Sequence, residues 1–297
     1  MPPAPENKSV GILWMLLTMV CFISLDATTK YTMQFYPLLE VTWGRFFFST
    51  VLALMIAGRR LPQLLRSNQA GLQGLRSIML MATTFLFNAG IVYVPLPMGT
   101  TIMFLSPIIL TMLSSLFLKE HVGWRRWSSI AVGFVGALVT IRVWQTGIGG
   151  INHGAALLLV SALANATYQM VTRKLRHDNP LTTLIYTALA GALVTSVFAP
   201  FVWQAPDAFG WLLLVWAGVA GCLGHLCLIK AFSAAPASVV APFSYSSLIW
   251  ATLAGFAIWG DLPTVTTSVG AALIIGSGLY IFFRERALQI KVAQPVT

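Results

Sequence analysis

The residues best suited to chemistry in this chain are charged groups set in apolar sequence. Asp26 and Lys30 are four apart, and Arg45 lies inside the run Trp43-Gly44-Arg45-Phe46-Phe47-Phe48. Positions i and i+4 share one helix face, so Asp26 and Lys30 can pair. An ionisable group within a membrane-spanning helix is costly, and is by default a site of function. Asp26 can serve as a protonatable coupling group or bind a substrate amine; it can equally form a structural ion pair with Arg45 or Lys30. At ~1.5 Å per residue, Asp26 and Arg45 reach similar depth. Glu40 falls nearer the outer surface.

Neutral polar groups form a second set. Ser161, Asn165, Tyr168, Gln169 and Thr172 recur on one helical face. In lipid they would go unsatisfied, so they face protein or a water-filled cavity. Thr84 and Asn88 are one turn apart, and Thr100, Phe104, Pro107 and Thr111 share a face. Pro107 frees backbone carbonyls and predicts a kink. His225 stands beside Gly221 and Gly224, and Pro242 is followed by Ser244, Tyr245, Ser246 and Ser247. The candidate substrate-binding set is therefore Asn88, Phe104, Asn165, Tyr168, Gln169, His225, Ser244 and Tyr245. Each has a structural alternative, hydrogen bonding or packing between helices.

No catalytic pattern is present: there is no H-E-x-x-H, no G-x-S-x-G and no P-loop. His121, His153, His177 and His225 do not cluster. Cys21, Cys222 and Cys227 lie in apolar stretches without metal-ligand spacing. Neither an enzyme, a metal site nor a cofactor is expected.

The elements that must position these residues follow from composition. The chain of 297 residues is 57% hydrophobic and 9% charged, with mean hydropathy +0.81, against about a quarter charged in soluble domains. Ten stretches approach the ~20 apolar residues a span needs: Gly11–Thr29, Leu38–Ala57, Leu75–Tyr93, Pro97–Leu118, Trp127–Val143, Gly154–Thr172, Leu181–Trp203, Trp211–Leu228, Ala237–Trp259 and Val265–Phe283. The stretch from Gly58 to Gly74 has room for a surface helix. With the N-terminus inside, 15 of the 18 Lys and Arg fall on the inner side and two, Lys30 and Arg142, outside. That asymmetry predicts cytoplasmic termini, and it accounts for the net charge of +10 without nucleic acid. Trp124, Trp127, Trp144, Trp203, Trp211 and Trp259 lie near span ends, as an interfacial belt.

The pattern repeats. Gly11 and Pro37 are 26 apart, as are Gly154 and Pro180. Lys30 and Arg173 hold the same place between them. Leu118-Lys119-Glu120 is matched by Trp259-Gly260-Asp261. Glycines recur in the fifth span (Gly133, Gly136) and the tenth (Gly270, Gly276, Gly278), where they predict close helix packing. Five spans per half make the halves antiparallel, an inverted repeat with its site at the seam. The expected divisions are tails at 1–10 and 287–297, and repeats at 11–146 and 147–286.

On these features the sequence resembles the drug/metabolite transporter superfamily, in its ten-span form with two EamA-like halves. The carrying motifs are Asp26–Lys30, Pro37, Arg45, Ser106–Glu120, Gly133–Val139, Tyr168–Leu175 and Ala235–Asp261. The family's Trp-Gly in the first span is not matched, since Met15 follows Trp14. The resemblance implies a bacterial inner-membrane carrier, commonly an exporter of amino acids or related metabolites. It implies a cavity among spans one, three, four, six, eight and nine with parts of two and seven, and a peripheral scaffold of spans five and ten.

The expectation is an all-α polytopic membrane protein working by alternating access. Its substrate is a neutral or zwitterionic small metabolite, because phosphate would call for converging Lys and Arg, and the spans offer Arg45. Export is the first reading. The alternatives are a membrane scaffold subunit, or an uptake carrier for a vitamin or nucleoside-like metabolite. The partners are substrate and lipid, with the chain as a monomer or a homodimer.

Overall fold

The computed structural model describes residues 7–67, 69–118, 124–146, 152–175 and 178–293. Lys119, Glu120, His121, Arg176, His177 and the chain ends lie outside the described residues. Ten helical units run in order: α1 (Lys8–Thr32), α2 (Leu38–Ala57), α3 (Ala70–Ile91), α4 in two pieces (Leu96–Met103 and Leu105–Leu118), α5 (Trp124–Ile141), α6 (His153–Lys174), α7 (Pro180–Phe198), α8 (Ala208–Ala234), α9 in three pieces (Ala237–Val240, Ala241–Ser246, Ser247–Trp259) and α10 (Val265–Ala293). Among the described residues there is no strand. Among the described residues nine helices are long and apolar enough to cross a membrane, and Trp127–Ile141 is a shorter apolar one. Arg125 and Arg126 open α5 and shorten its apolar part. The linker after α2 holds a 3-10 turn, Gly58–Arg60, and one helical turn, Leu61–Leu64.

Local chemistry sets the boundaries. Asn7, Asn152, Asn179 and Asp207 accept N-terminal amides of α1, α6, α7 and α8, the role for which Asn and Asp are favoured. Gly58 (φ 47) ends α2 and Gly260 (φ 72) ends α9, positions where a side chain would be strained. The predicted Pro107 kink is present: α4 breaks at Phe104, beside the carbonyl that proline cannot hydrogen-bond. Pro242 lies in the 3-10 piece of α9.

Packing crosses between the halves. α1 packs on α8 and α3 on α6; α2 faces α7, α4 faces α9, and α5 faces α10. Exchanging each helix with its counterpart five places on leaves this pattern unchanged, as an inverted repeat requires. The breaks in α4 and α9 also meet. Phe104 and Tyr245 are 141 residues apart, the same step that links Leu118 to Trp259, and their rings touch edge to face at 5.1 Å.

Gly136 of α5 and Gly270 of α10 act as expected, whereas Gly276 has nothing within 4 Å of its Cβ position. A Cβ on Gly136 would come within 2.9 Å of the Gly270 carbonyl, so the backbones are nearly in contact. Trp124, Trp127, Trp144, Trp203 and Trp211 are exposed on the outside of the bundle. Trp259 departs from the expected belt: it receives the Lys30 ammonium over its ring at 4.8 Å, because Lys30 needs a partner where α1 ends.

Candidate functional site

A cavity of about 480 Å³ lies between α2, α3, α6, α7 and α8. Pockets for small ligands fall at ~300–1,000 Å³. Its inner wall carries Arg45, Arg76, Tyr168 and His225, and it extends past Thr183 and Leu184 to Asp178 and Ser233 where α6 and α8 end and α7 begins. The cavity is thus offset toward one end of the bundle. Helices α7 and α8 contribute the longest walls and α2 one turn, whereas α1, α4 and α9, expected from the resemblance, supply no lining residue. Their facing surfaces pack together instead.

Arg76 organises the wall. It is buried, and its guanidinium donates to Thr172 Oγ1 (2.9 Å), the Thr183 carbonyl (3.1 Å), Tyr168 OH (2.6 Å) and Thr187 Oγ1. It also stacks on the Tyr168 ring at 4.6 Å. Every one of these partners is neutral, so α3 is tied to α6 and α7 while the positive charge persists. Sequence reasoning counted Arg76 with the inner-side charges, and its contribution to the site is new.

Of the eight residues predicted to bind substrate, the cavity gathers Tyr168 and His225. Tyr168 is held by Arg76, and His225 packs edge-on against Phe22 at 5.0 Å. Arg45, named as a coupling or pairing residue, also lines the wall. The other candidates lie elsewhere. Asn88 is buried and donates to Thr42 Oγ1 at 3.2 Å between α3 and α2, leaving its Oδ1 without a hydrogen bond. Asn165 donates to Ser106 Oγ at 3.2 Å, and Ser161 to the Thr83 carbonyl at 2.9 Å. The upper part of the α6 stripe therefore joins helices, and only its lower part meets the cavity. Gln169 is partly buried on α6 and is not a lining residue. Ser244 turns back to the Ala241 carbonyl at 2.7 Å, and Phe104 and Tyr245 cover each other.

The Asp26–Lys30 pair does not form. Lys30 donates to the Val94 carbonyl at 2.7 Å and lies over Trp259, with Asp261 as its nearby opposite charge. Asp26 feels the Arg45 charge, yet the two make no ion pair within 4.0 Å. Glu40 is buried and accepts from the Gln204 amide at 2.9 Å.

By span parity the Lys30 cluster sits at the end of the bundle opposite the cavity mouth. It joins the ends of α1, α3 and α9 and closes that side. Lys30→Met is expected to lower stability by about 1.5–3 kcal/mol, the range for a hydrogen bond involving a charged group. Thermal denaturation in detergent measures this; an unchanged melting temperature contradicts the closing role.

Fold and cavity together make this a multi-pass membrane protein built as two inverted five-helix repeats. The EamA-like transporter family matches residues 9–142 and again residues 152–283, and the chain belongs to that family. Among curated relatives, the S-adenosylmethionine uptake transporter of Rickettsia bellii (strain RML369-C) is 28% identical over 292 residues, covering 98% of this chain and 99% of its own. The riboflavin transporter of Vibrio cholerae serotype O1 is 30% identical over 277 residues, covering 91% and 92%. A solved crystal structure superposes with a TM-score of 0.63 at 17% identity, over 95% of this chain and 99% of that one, which speaks for the fold. The chain is a transporter, not an enzyme.

Proposed function

We propose that this protein carries a vitamin-like or nucleoside-like metabolite into the cell across the inner membrane by alternating access. The observation that carries the reading is the cavity of about 480 Å³ bounded by both halves, open toward one end and shut at the other by Lys30. A scaffold subunit would have no use for such a space. Its lining suits a flat ring: Phe46, Tyr168 and Phe232 supply apolar faces, while Thr172, Thr187 and His225 supply hydrogen-bonding groups. Relatives named for S-adenosylmethionine uptake and riboflavin transport support this substrate kind, and the former supports uptake, in place of amino-acid export.

The positive-inside split supports a cytoplasmic location for both termini and for the cavity mouth. The structure is then the inward-facing state, with Lys30 at the outer closure. Repeats at 11–146 and 147–286 rock about the α2–α7 and α4–α9 contacts.

The test is uptake into proteoliposomes holding the purified protein, with radiolabelled riboflavin, S-adenosylmethionine and a panel of neutral amino acids. Saturable flux of one of the two ring-bearing compounds, competed by the unlabelled compound, is the expected result. Saturable flux of amino acids alone would restore the exporter reading.

A further inference from the structure

We infer that the cavity selects metabolites bearing an oxyanion, a carboxylate or a phosphate, and that Arg45 is the residue that grips it. The inference rests on the uptake reading above and deepens it.

Arg45 stands in the middle of α2, deep in the protein, and its accessible surface faces the cavity. A guanidinium carries five N–H donors in a planar fork. Among the described residues, Arg45 makes no hydrogen bond and no ion pair within 4.0 Å; its close contact is the Phe46 ring, 5.7 Å from the guanidinium carbon. Asp26 acts on it from beyond ion-pair distance. A charge this deep with unmet donors is costly unless something completes it.

Arg76 provides the contrast. Its donors are occupied by Thr172, Thr183, Thr187 and Tyr168, so it is held in place and adds field rather than free donors. Asp178 is the sole acid on the cavity wall among the described residues. It sits at the mouth, accepting from Ser67 Oγ at 2.6 Å and Gln73 Nε2 at 2.8 Å. Two cations on one apolar wall give a positive potential focused by low-dielectric surroundings. The free fork of Arg45 matches the two oxygens of a carboxylate or phosphate. The expectation of a neutral or zwitterionic substrate in place of a phosphate rested on Arg45 being alone in the spans, and the burial of Arg76 in α3 removes that premise.

The experiment uses two ligand pairs with purified protein in detergent. Riboflavin 5′-phosphate is compared with riboflavin, and S-adenosylmethionine with its decarboxylated analogue. Binding is read by tryptophan fluorescence, and uptake in proteoliposomes. We expect one oxyanion-bearing member to bind roughly ten-fold or more tightly than its partner, since charge-assisted bidentate bonds are the strong ones. The pair that discriminates tells phosphate from carboxylate. Arg45→Gln should bring that ratio near unity with little change for the partner; Arg45→Lys, which keeps the charge and loses the fork, should retain part of it. Equal binding within both pairs, no binding by either oxyanion-bearing member, or an equal loss for both members in Arg45→Gln overturns the proposal. If Arg45→Gln does not fold, Arg45→Lys decides by the same ratio. Oxyanion-selective binding without uptake leaves this site standing and overturns the transport reading; uptake without selectivity does the reverse.

Discussion

Gly270→Leu is expected to cost at least about 3 kcal/mol and to strip most folded protein from the membrane. A Cβ at Gly270 would run into Thr140 Oγ1 and the Gly136 carbonyl. The carbonyl belongs to the backbone of α5 and cannot rotate away, so the two helices must separate. Overpacking typically costs ~1–3 kcal/mol, occasionally more, and a forced helix separation belongs at the upper end. Gly276 on the same helix supplies the control: nothing lies within 4 Å of its Cβ position. Gly276→Leu should be neutral or mildly stabilising, because leucine has the better helix propensity by roughly 1 kcal/mol. Melting temperatures of the two purified variants decide the matter, and similar values would refute the close-contact role of the α5–α10 seam.

Arg76→Ala is expected to lower uptake at least ten-fold, with a smaller effect on stability. The substitution removes hydrogen bonds linking α3 to Tyr168 and Thr172 on α6 and to Thr183 and Thr187 on α7. Hydrogen bonds to charged groups contribute about 1.5–3 kcal/mol each. Removing a buried cation also relieves its desolvation, and the freed hydroxyls can bind cavity water, so these terms partly offset one another in stability. They do not offset in the shape and potential of the wall. Arg76→Lys should recover little, because an ammonium cannot reproduce the fork that spans three helices. Uptake in proteoliposomes, normalised to folded protein, reads the effect; wild-type flux in Arg76→Ala would remove Arg76 from the site.

The spans were legible because lipid imposes length and apolarity directly. Pro37 and Gly58 bracket α2 closely enough that its predicted limits, Leu38–Ala57, are those observed. The α4 break could be read from Pro107 for the same local reason. Arg76 was hidden because α3 begins at Ala70, a full turn and more before the apolar run. That extension carries the arginine, counted with the inner-side charges at the start of Leu75–Tyr93, from the edge of the span into the bundle. The α6 stripe shows another limit. Periodicity put Asn165 and Tyr168 on a shared polar face, but which neighbour each meets depends on packing across the repeats. Asn165 meets Ser106 on α4, and Tyr168 meets Arg76 on α3. Lys30 likewise could pair with Asp26 by spacing alone, and the nearby Val94 carbonyl prevails. The direction of transport leaves no mark in helix periodicity, and the uptake reading came from relatives.

A substrate cavity between the halves that opens to the cytoplasm is the core of the proposed transport cycle. It is tested most directly by thiol accessibility at Ala188, a small buried residue of the cavity wall. Cys21, Cys222 and Cys227 are free thiols and are first replaced by alanine; Ala188→Cys is then introduced. A membrane-impermeant maleimide is applied to inside-out and right-side-out vesicles, with and without saturating transported substrate. Labelling is expected to be fast in inside-out vesicles, slow in right-side-out ones, and suppressed by substrate. Labelling that is absent from the cytoplasmic side, or indifferent to substrate, would contradict the proposed cycle.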